Sequence, residues 1–166
     1  MTNQSAPATP AQSGNADAAL KLDEFLPYRL NVCANMVSQA LSRIYADRYK
    51  IGVPEWRVLV TLGEFGLMTA KAIGVHSHMH KTKVSRAVAE LERRRWLTRR
   101  QDRDDRRVEH LTLTKTGMAA YREMTPLAKA FERRLSDALG PAHFAAFDDG
   151  LEKLETLLRN KQSRDA

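Results

Sequence analysis

His80–Gly117 reads HKTKVSRAVAELERRRWLTRRQDRDDRRVEHLTLTKTG. Val84, Val88 and Leu91 recur at i, i+4 and i+7, which puts one apolar face on a helix, while Lys81, Lys83, Ser85 and Arg86 fall on the opposite face. After Trp96 the period changes. Leu97–Gln101 and Val108–Thr114 read as two short strands, and the fully charged Asp102-Arg103-Asp104-Asp105-Arg106-Arg107 between them reads as the tip of a hairpin. A helix fits the major groove of duplex DNA, and a thin arm with Arg at its tip fits the narrower minor groove. The stretch therefore reads as a recognition helix followed by a wing.

The distribution of charge agrees. The 166 residues carry a formal net charge of +7, and residues 71–110 hold twelve Lys or Arg against six Asp or Glu, so nearly all of the excess is local. A local basic field implies a polyanionic partner, here double-stranded DNA. An RNA contact would call for aromatic-rich strands on which bases stack, and these are absent from the sequence. Nor does it hold a Gly-rich phosphate loop, a nucleophile elbow or a paired metal-ligand motif, so neither an enzyme nor a cofactor is expected. The single cysteine excludes an intramolecular disulfide framework and suits a reducing compartment. No apolar run approaches a membrane span and the first residues lack the apolar core of a signal peptide. A soluble cytoplasmic protein with no membrane partner is expected.

Working outward, residues 1–19 hold no large apolar side chain after Met1 and are expected to form a disordered tail. Order should begin near Leu22. Pro27 suits a first helical turn, and Leu30, Ala34, Val37, Leu41 and Ile44 make one stripe running to about Arg48. Gly52-Val53-Pro54 interrupts it, and a second helix should run from Pro54 to about Phe65. Gly66 ends that helix, Leu67-Met68 offers a minimal third strand, and Thr69 is a good N-cap for a short helix from Ala70 to about His76. A turn at Ser77-His78 then leads into the recognition helix, completing a helix-turn-helix. Beyond the wing, Thr114 can cap a long helix to about Ala138, with a stripe from Met118 and Tyr121 through Ala128 to Leu135. Gly140-Pro141 punctuates it, and a last helix over about 141–160 presents Phe144, Phe147, Leu151, Leu154 and Leu158. The expected fold class is mainly α with a small β-hairpin wing. Residues 51–114 form the winged helix-turn-helix lobe, and residues 20–50 with 115–160 supply helices too amphipathic to stand alone, expected to pair two copies into a homodimer.

The chain resembles the MarR-type winged-helix transcription regulators over roughly residues 22 to 160. Thr82-Lys83-Val84-Ser85-Arg86, Asp105-Arg106-Arg107 and Leu113-Thr114-Lys115-Thr116-Gly117 carry the resemblance, in that order. It implies an intertwined dimer that sets two recognition helices about one DNA turn, ~34 Å, apart, and so a pseudo-palindromic operator and a role as a regulator, expected to be a repressor. It also implies that Arg107 enters the minor groove while Asp105 orients a neighbouring basic group. One position departs: the family commonly caps the second helix with Thr, where Val53 stands here.

The DNA contacts expected from the recognition helix are His80, Lys81, Thr82, Lys83, Ser85 and Arg86, with Lys81 and Lys83 assigned to phosphates and Ser85 and Arg86 to bases. Arg103, Asp105, Arg106 and Arg107 complete the set from the wing. Arg93, Arg94 and Arg95 look like phosphate contacts and ion pairs, with at least one facing the protein. His76, His78 and His80 could suggest zinc, but their spacing spans a turn with no Cys, Asp or Glu among them, and no metal is expected. Phe25-Leu26-Pro27-Tyr28-Arg29-Leu30 resembles the subgroup linked to aromatic-acid catabolism. A small aromatic acid or its thioester is thus the expected effector, held by Tyr28, Arg29, Trp56 and a His such as His76. The same residues also fit ordinary roles, Tyr28 and Trp56 as core aromatics and Arg29 as an ion-pair partner. A redox-sensing alternative rests on Cys33, which no Lys, Arg or His immediately flanks and which is expected to be buried and inert.

Overall fold

A computed structural model describes residues 20–162, without the side chains of 161 and 162; the expected tail at 1–19 lies outside these residues. The chain divides into two compact units, one through Val37 and one from Ser38 onward. The elements are α1 (Leu26–Tyr49), α2 (Val53–Phe65), β1 (Met68–Thr69), α3 (Ala70–Ser77), α4 (Lys81–Arg93), β2 (Leu97–Gln101), β3 (Glu109–Leu113), α5 (Lys115–Leu139) and α6 (Pro141–Gln162). Mostly helical, with a small antiparallel sheet, they form the winged helix-turn-helix fold expected from the sequence.

In the first unit, the α1 face bearing Leu26, Tyr28, Val32, Met36 and Val37 is exposed. Cys33 is exposed as well, which corrects the expectation of a buried thiol: among the described residues nothing packs over this turn.

The second unit holds the core. Val58, Leu59 and Leu62 of α2, Ile73 of α3 and Val84, Ala87, Val88 and Leu91 of α4 are buried together with Leu97 and Leu111 of the sheet. Each large apolar side chain among them contributes roughly 1.5–3 kcal/mol on full burial, so Val84, Val88 and Leu91 suffice to fix the rotation of α4. Its other face is thereby turned outward. The sheet order is β1-β3-β2, with Leu97 opposite Leu113 and Gln101 opposite Glu109 across the hairpin. The third strand is Met68–Thr69, one residue later than expected, because Met68 takes its register from Leu111 of β3.

Caps account for the boundaries. Thr69 and Thr114 accept from Ala72 N and Gly117 N, each at 3.1 Å, as their positions predict. The cap missing at Val53 lies one residue earlier. Gly52 is the N-cap of α2, and the Glu55 carboxylate accepts from the Gly52 N–H at 2.8 Å, so the acid three residues in performs the polar half of a capping box in which glycine has no side chain. At the other end of α4, Trp96 N donates to Leu91 O at 2.9 Å and Arg95 N to Glu92 O at 2.8 Å. This is a Schellman motif that holds Arg95, not glycine, at φ 60°. Pro126 lies inside α5, which continues through it despite the lost N–H. Burial on α5 ends at Met124; beyond it, and along all of α6, no described residue is buried.

Candidate nucleic-acid interface

His80 is the N-cap of α4, its Nδ1 accepting from Thr82 N at 3.3 Å. An accepting Nδ1 leaves any ring proton on Nε2, so the imidazole both ends the preceding turn and presents a donor at the start of the helix. Lys81, Thr82, Lys83, Ser85 and Arg86 follow, all exposed on the face opposite the core. Among the described residues, the side chains of Lys81, Lys83, Ser85 and Arg86 make no hydrogen bond or ion pair within the chain. An outward, unengaged basic face at the N-terminal half of a helix is what groove entry and phosphate contact require.

The arginines that follow are placed differently. Arg94 turns inward: its guanidinium donates to Glu90 Oε1 at 2.6 Å and to the carbonyl of Tyr49 at 2.8 Å, closing the last turn of α1. Arg93 pairs with the same Glu90 carboxylate at 2.7 Å. Hydrogen bonds from Arg93 and then Arg94 lower the Glu90 carboxyl to about 2. Arg99 lies between Glu92 at 3.0 Å and Glu109 at 3.1 Å. These three cations serve the protein interior and its surface ion pairs, so the basic field that faces outward is smaller than the residue count implies.

The wing tip is built on two aspartates. Asp102 Oδ1 accepts from the backbone N–H of Asp104 at 2.9 Å and of Asp105 at 3.1 Å, and Oδ2 lies 2.9 Å from His110 Nε2. The two backbone donors, with His110 behind them, lower the Asp102 carboxyl to about 2. Asp105 Oδ1 in turn accepts from Arg107 N at 3.0 Å and Arg107 Nε at 3.1 Å. Arg107 is held at its base while its side chain stays 91% exposed. Arg103 and Arg106 are exposed beside it and, among the described residues, have no side-chain partner. Sequence reading found the Asp105–Arg107 pair but missed Asp102 and His110. The Asp-x-x-Asp spacing at a hairpin tip was the available signal, since Asp side chains commonly take the backbone N–H groups two and three residues on.

The expected effector residues fall in both units. Tyr28 and Arg29 belong to the first unit and are exposed. In the second, Trp56 is buried and stacks on Tyr45 with centroids 5.0 Å apart, while His76 meets Phe65 edge-on at 4.7 Å. Trp56 and Phe65 stand nine residues apart on α2, about 13 Å by helical rise, so the second unit does not bring Trp56 and His76 to one pocket. The Tyr45 hydroxyl is buried with no partner among the described residues, and burial pushes it up to about 12. His76, His78 and His80 are separately engaged, the second as the left-handed C-cap of α3 at φ 50°, and the described residues hold no group of three His, Cys, Asp or Glu able to bind a metal. Nor is any described helix long and apolar enough to cross a membrane.

A model of the MarR family matches residues 49–108, which run from the end of α1 through β2 and the wing tip and stop before β3. An uncharacterised HTH-type transcriptional regulator of Bacillus subtilis, YwoH, is 26% identical over 114 residues, 69% of this chain and 82% of that protein. Among solved structures, the MarR family regulator SPO1453 of Silicibacter pomeroyi is 27% identical with a TM-score of 0.73, covering 84% of this chain and 99% of its own. Streptococcus pneumoniae FabT, in complex with DNA, has a TM-score of 0.64 at 24% identity over 81% of this chain and 94% of its own. BpsR of Bordetella bronchiseptica, whose DNA binding is regulated by 6-hydroxynicotinic acid, has a TM-score of 0.73 at 22% identity over 83% and 98%.

Proposed function

We propose that this chain, similar over its DNA-binding lobe to the MarR family of DNA-binding transcriptional regulators, is a member of that family and a homodimeric repressor that reads a pseudo-palindromic operator and leaves it when a small aromatic carboxylate or its thioester binds. The observation that carries the DNA reading is the unengaged basic face of α4 next to a wing whose Arg107 is anchored by Asp105 and otherwise exposed. In this reading Lys81 and Lys83 hold phosphates, Arg86 and Ser85 read base edges in the major groove, and Arg107 with Arg103 and Arg106 enters the minor groove. The FabT complex with DNA supports DNA as the partner. Exposed Leu135, Leu139, Phe147, Leu157 and Leu158 on α5 and α6 support pairing through these helices, since several large apolar side chains exposed on two helices favour a second copy over water.

The effector half of the proposal is supported by BpsR and its aromatic acid. Tyr28 and Arg29, with either Trp56 or His76 rather than both, are its candidate contacts, and release is a population shift: inverting a 99:1 preference needs a differential affinity of about 10⁴-fold between the two dimer geometries.

Selection from genomic fragments at physiological salt, with and without a panel of aromatic acids, tests the whole reading. One enriched palindrome with half-sites a DNA turn apart is expected, lost with one acid. Arg107→Ala should lower the salt slope of binding by about one, and Arg86→Ala should also relax base preference. Salt-sensitive binding with no enriched site would overturn it.

A further inference from the structure

The outward face of α3 has no part in the DNA contacts assigned so far. Lys71 and Val75 stand four residues apart on α3, and Lys81 and Ser85 four apart on α4, so each pair shares one face of its helix. These four side chains line one groove of about 430 Å³ between the two helices, with Ala70, Gly74, Met79 and Val84. Gly74 keeps the helices close: a Cβ there would lie 3.3 Å from the Met79 carbonyl oxygen and 3.6 Å from a Val84 methyl. The turn between the helices uses its own polar groups, Met79 N donating to Gly74 O at 3.0 Å and His78 N to Val75 O at 3.4 Å.

Charge and apolar surface meet in this groove. Lys71 and Lys81 are exposed and, among the described residues, make no hydrogen bond or ion pair within the chain, and no Asp or Glu lines the groove with them. Beside them Val75 is 70% exposed, a branched aliphatic side chain on the face of α3 turned away from buried Ile73. Ser85 shares the groove, so the groove is continuous with the face of α4 proposed to meet base edges. Two free ammonium groups suit phosphates, and Val75 has nothing to offer a phosphate or a hydrogen-bonding base edge. In the major groove the base pairs present one aliphatic group, the C5-methyl of thymine.

We propose that Val75 is a specificity-determining residue of the DNA contact: the groove between α3 and α4 receives the C5-methyl group of a thymine, with Lys71 and Lys81 on flanking phosphates. This rests on the reading of α4 as the recognition helix and adds to it a base preference made by α3 without a hydrogen bond. Arg86 and Ser85 sort bases by donors and acceptors, whereas Val75 sorts them by a methyl that cytosine, adenine and guanine lack. Continuity with the basic face of α4 and the two lysines make DNA the occupant, and the aliphatic wall selects the part of it that enters.

The test is a fluorescence-anisotropy titration of the full chain with the duplex recovered by the genomic selection, and with copies in which each thymine in turn is replaced by deoxyuridine. That replacement removes the methyl and keeps every hydrogen-bonding group. Wild type is compared with Val75→Ala and Val75→Ile; the side chain is exposed, so unchanged thermal melting checks the fold. One deoxyuridine position in each half-site should weaken wild-type binding about fourfold, the worth of one buried methyl group. Val75→Ala should bind the thymine and deoxyuridine duplexes alike, and Val75→Ile should still tell them apart. No sensitive position in wild type, or a difference that survives in Val75→Ala, overturns the methyl contact. Val75→Ala weakening every duplex by the same factor would place Val75 on a sugar and overturns it as well. In each of these cases the regulator reading stands if Arg86→Ala still relaxes base preference. A selection that enriches no duplex refutes that reading and this inference with it.

Discussion

Replacing Gly117 by Ala should destabilise the protein by about 3 kcal/mol. A Cβ built at Gly117 falls 2.0 Å from the Trp96 carbonyl oxygen and 2.8 Å from its carbon, against the roughly 3.5 Å at which nonbonded heavy atoms attract best. The obstacle is backbone, so no side-chain rotation relieves it. The first turn of α5 must retreat, and three hydrogen bonds lie there: Thr114 N to Trp96 O at 3.0 Å, Thr114 Oγ1 to Arg95 O at 2.7 Å and Gly117 N to Thr114 Oγ1 at 3.1 Å. Weakening the three costs about 2 kcal/mol in all and overpacking about 2 kcal/mol, offset by about 1 kcal/mol for Ala over Gly in a helix. For a chain of this size that is a fall in Tm of roughly 6–12 °C at fixed protein concentration. Gly150→Ala on α6, where the added Cβ meets nothing within 4 Å, should raise stability by about 0.5–1 kcal/mol. A Gly117→Ala melting temperature within 2 °C of wild type, or one matching Gly150→Ala, would refute the close approach of α5 to the root of the wing.

Asp105→Ala should weaken operator binding about three- to tenfold in a fluorescence-anisotropy titration, because Arg107 then pays its own ordering entropy on entering the groove; tighter binding would mean that Asp105 only repels phosphate. Glu90 contributes stability that is present above its ordinary pKa near 4.5 and lost as pH falls toward about 2, since Arg93 and Arg94 hold its carboxyl down. With Arg93 largely in solvent, about 1 kcal/mol is expected, so urea melts at pH 5 and pH 2 should separate wild type from Glu90→Gln at the higher pH and bring them together at the lower. Arg95→Gly, at φ 60°, should stabilise by about 0.5–1 kcal/mol; a loss in the same melts would show that the Arg95 side chain makes a contact worth more than the strain.

What the sequence disclosed depended on the range of the interaction. The α4 stripe, the wing strands and the Thr69 and Thr114 caps rest on neighbours within a turn or a hairpin, and all were legible within a residue or two. The N-cap of α2 was nearly so: Glu55 sits three residues after Gly52, but glycine supplies no side chain to draw attention to the pair. That at least one of Arg93, Arg94 and Arg95 faces the protein was legible; which one, and the pairing of Arg99, was not. Arg94 reaches the carbonyl of Tyr49 across forty-five residues, and Arg99 is bracketed by one acid from α4 and another from β3. Whether a cation faces DNA or an internal carboxylate is fixed by tertiary neighbours, which a charge count cannot see. Trp56 was ambiguous for the same reason, since its stack on Tyr45 depends on where α1 returns to α2.

The burial pattern along α5 gives the reason to expect a second copy before any DNA is considered. Gly117, Ala120 and Met124 are buried in the lobe, and the helix then runs fifteen residues further with none buried, turning at Gly140 into an α6 that has none either. Helices of this kind are held by packing of an apolar face more than by intrinsic propensity, and in one chain Phe147, Leu157 and Leu158 remain about half exposed or more. Burying what remains exposed of three such side chains is worth roughly 2–5 kcal/mol before ordering costs are subtracted. A two-fold partner offers the same apolar face in return and carries its own basic α4. In that arrangement the surface that stabilises the arms also fixes the distance between the two DNA-reading helices, so a substitution such as Phe147→Asp should lower dimer stability and operator affinity together, with the isolated lobe's core untouched.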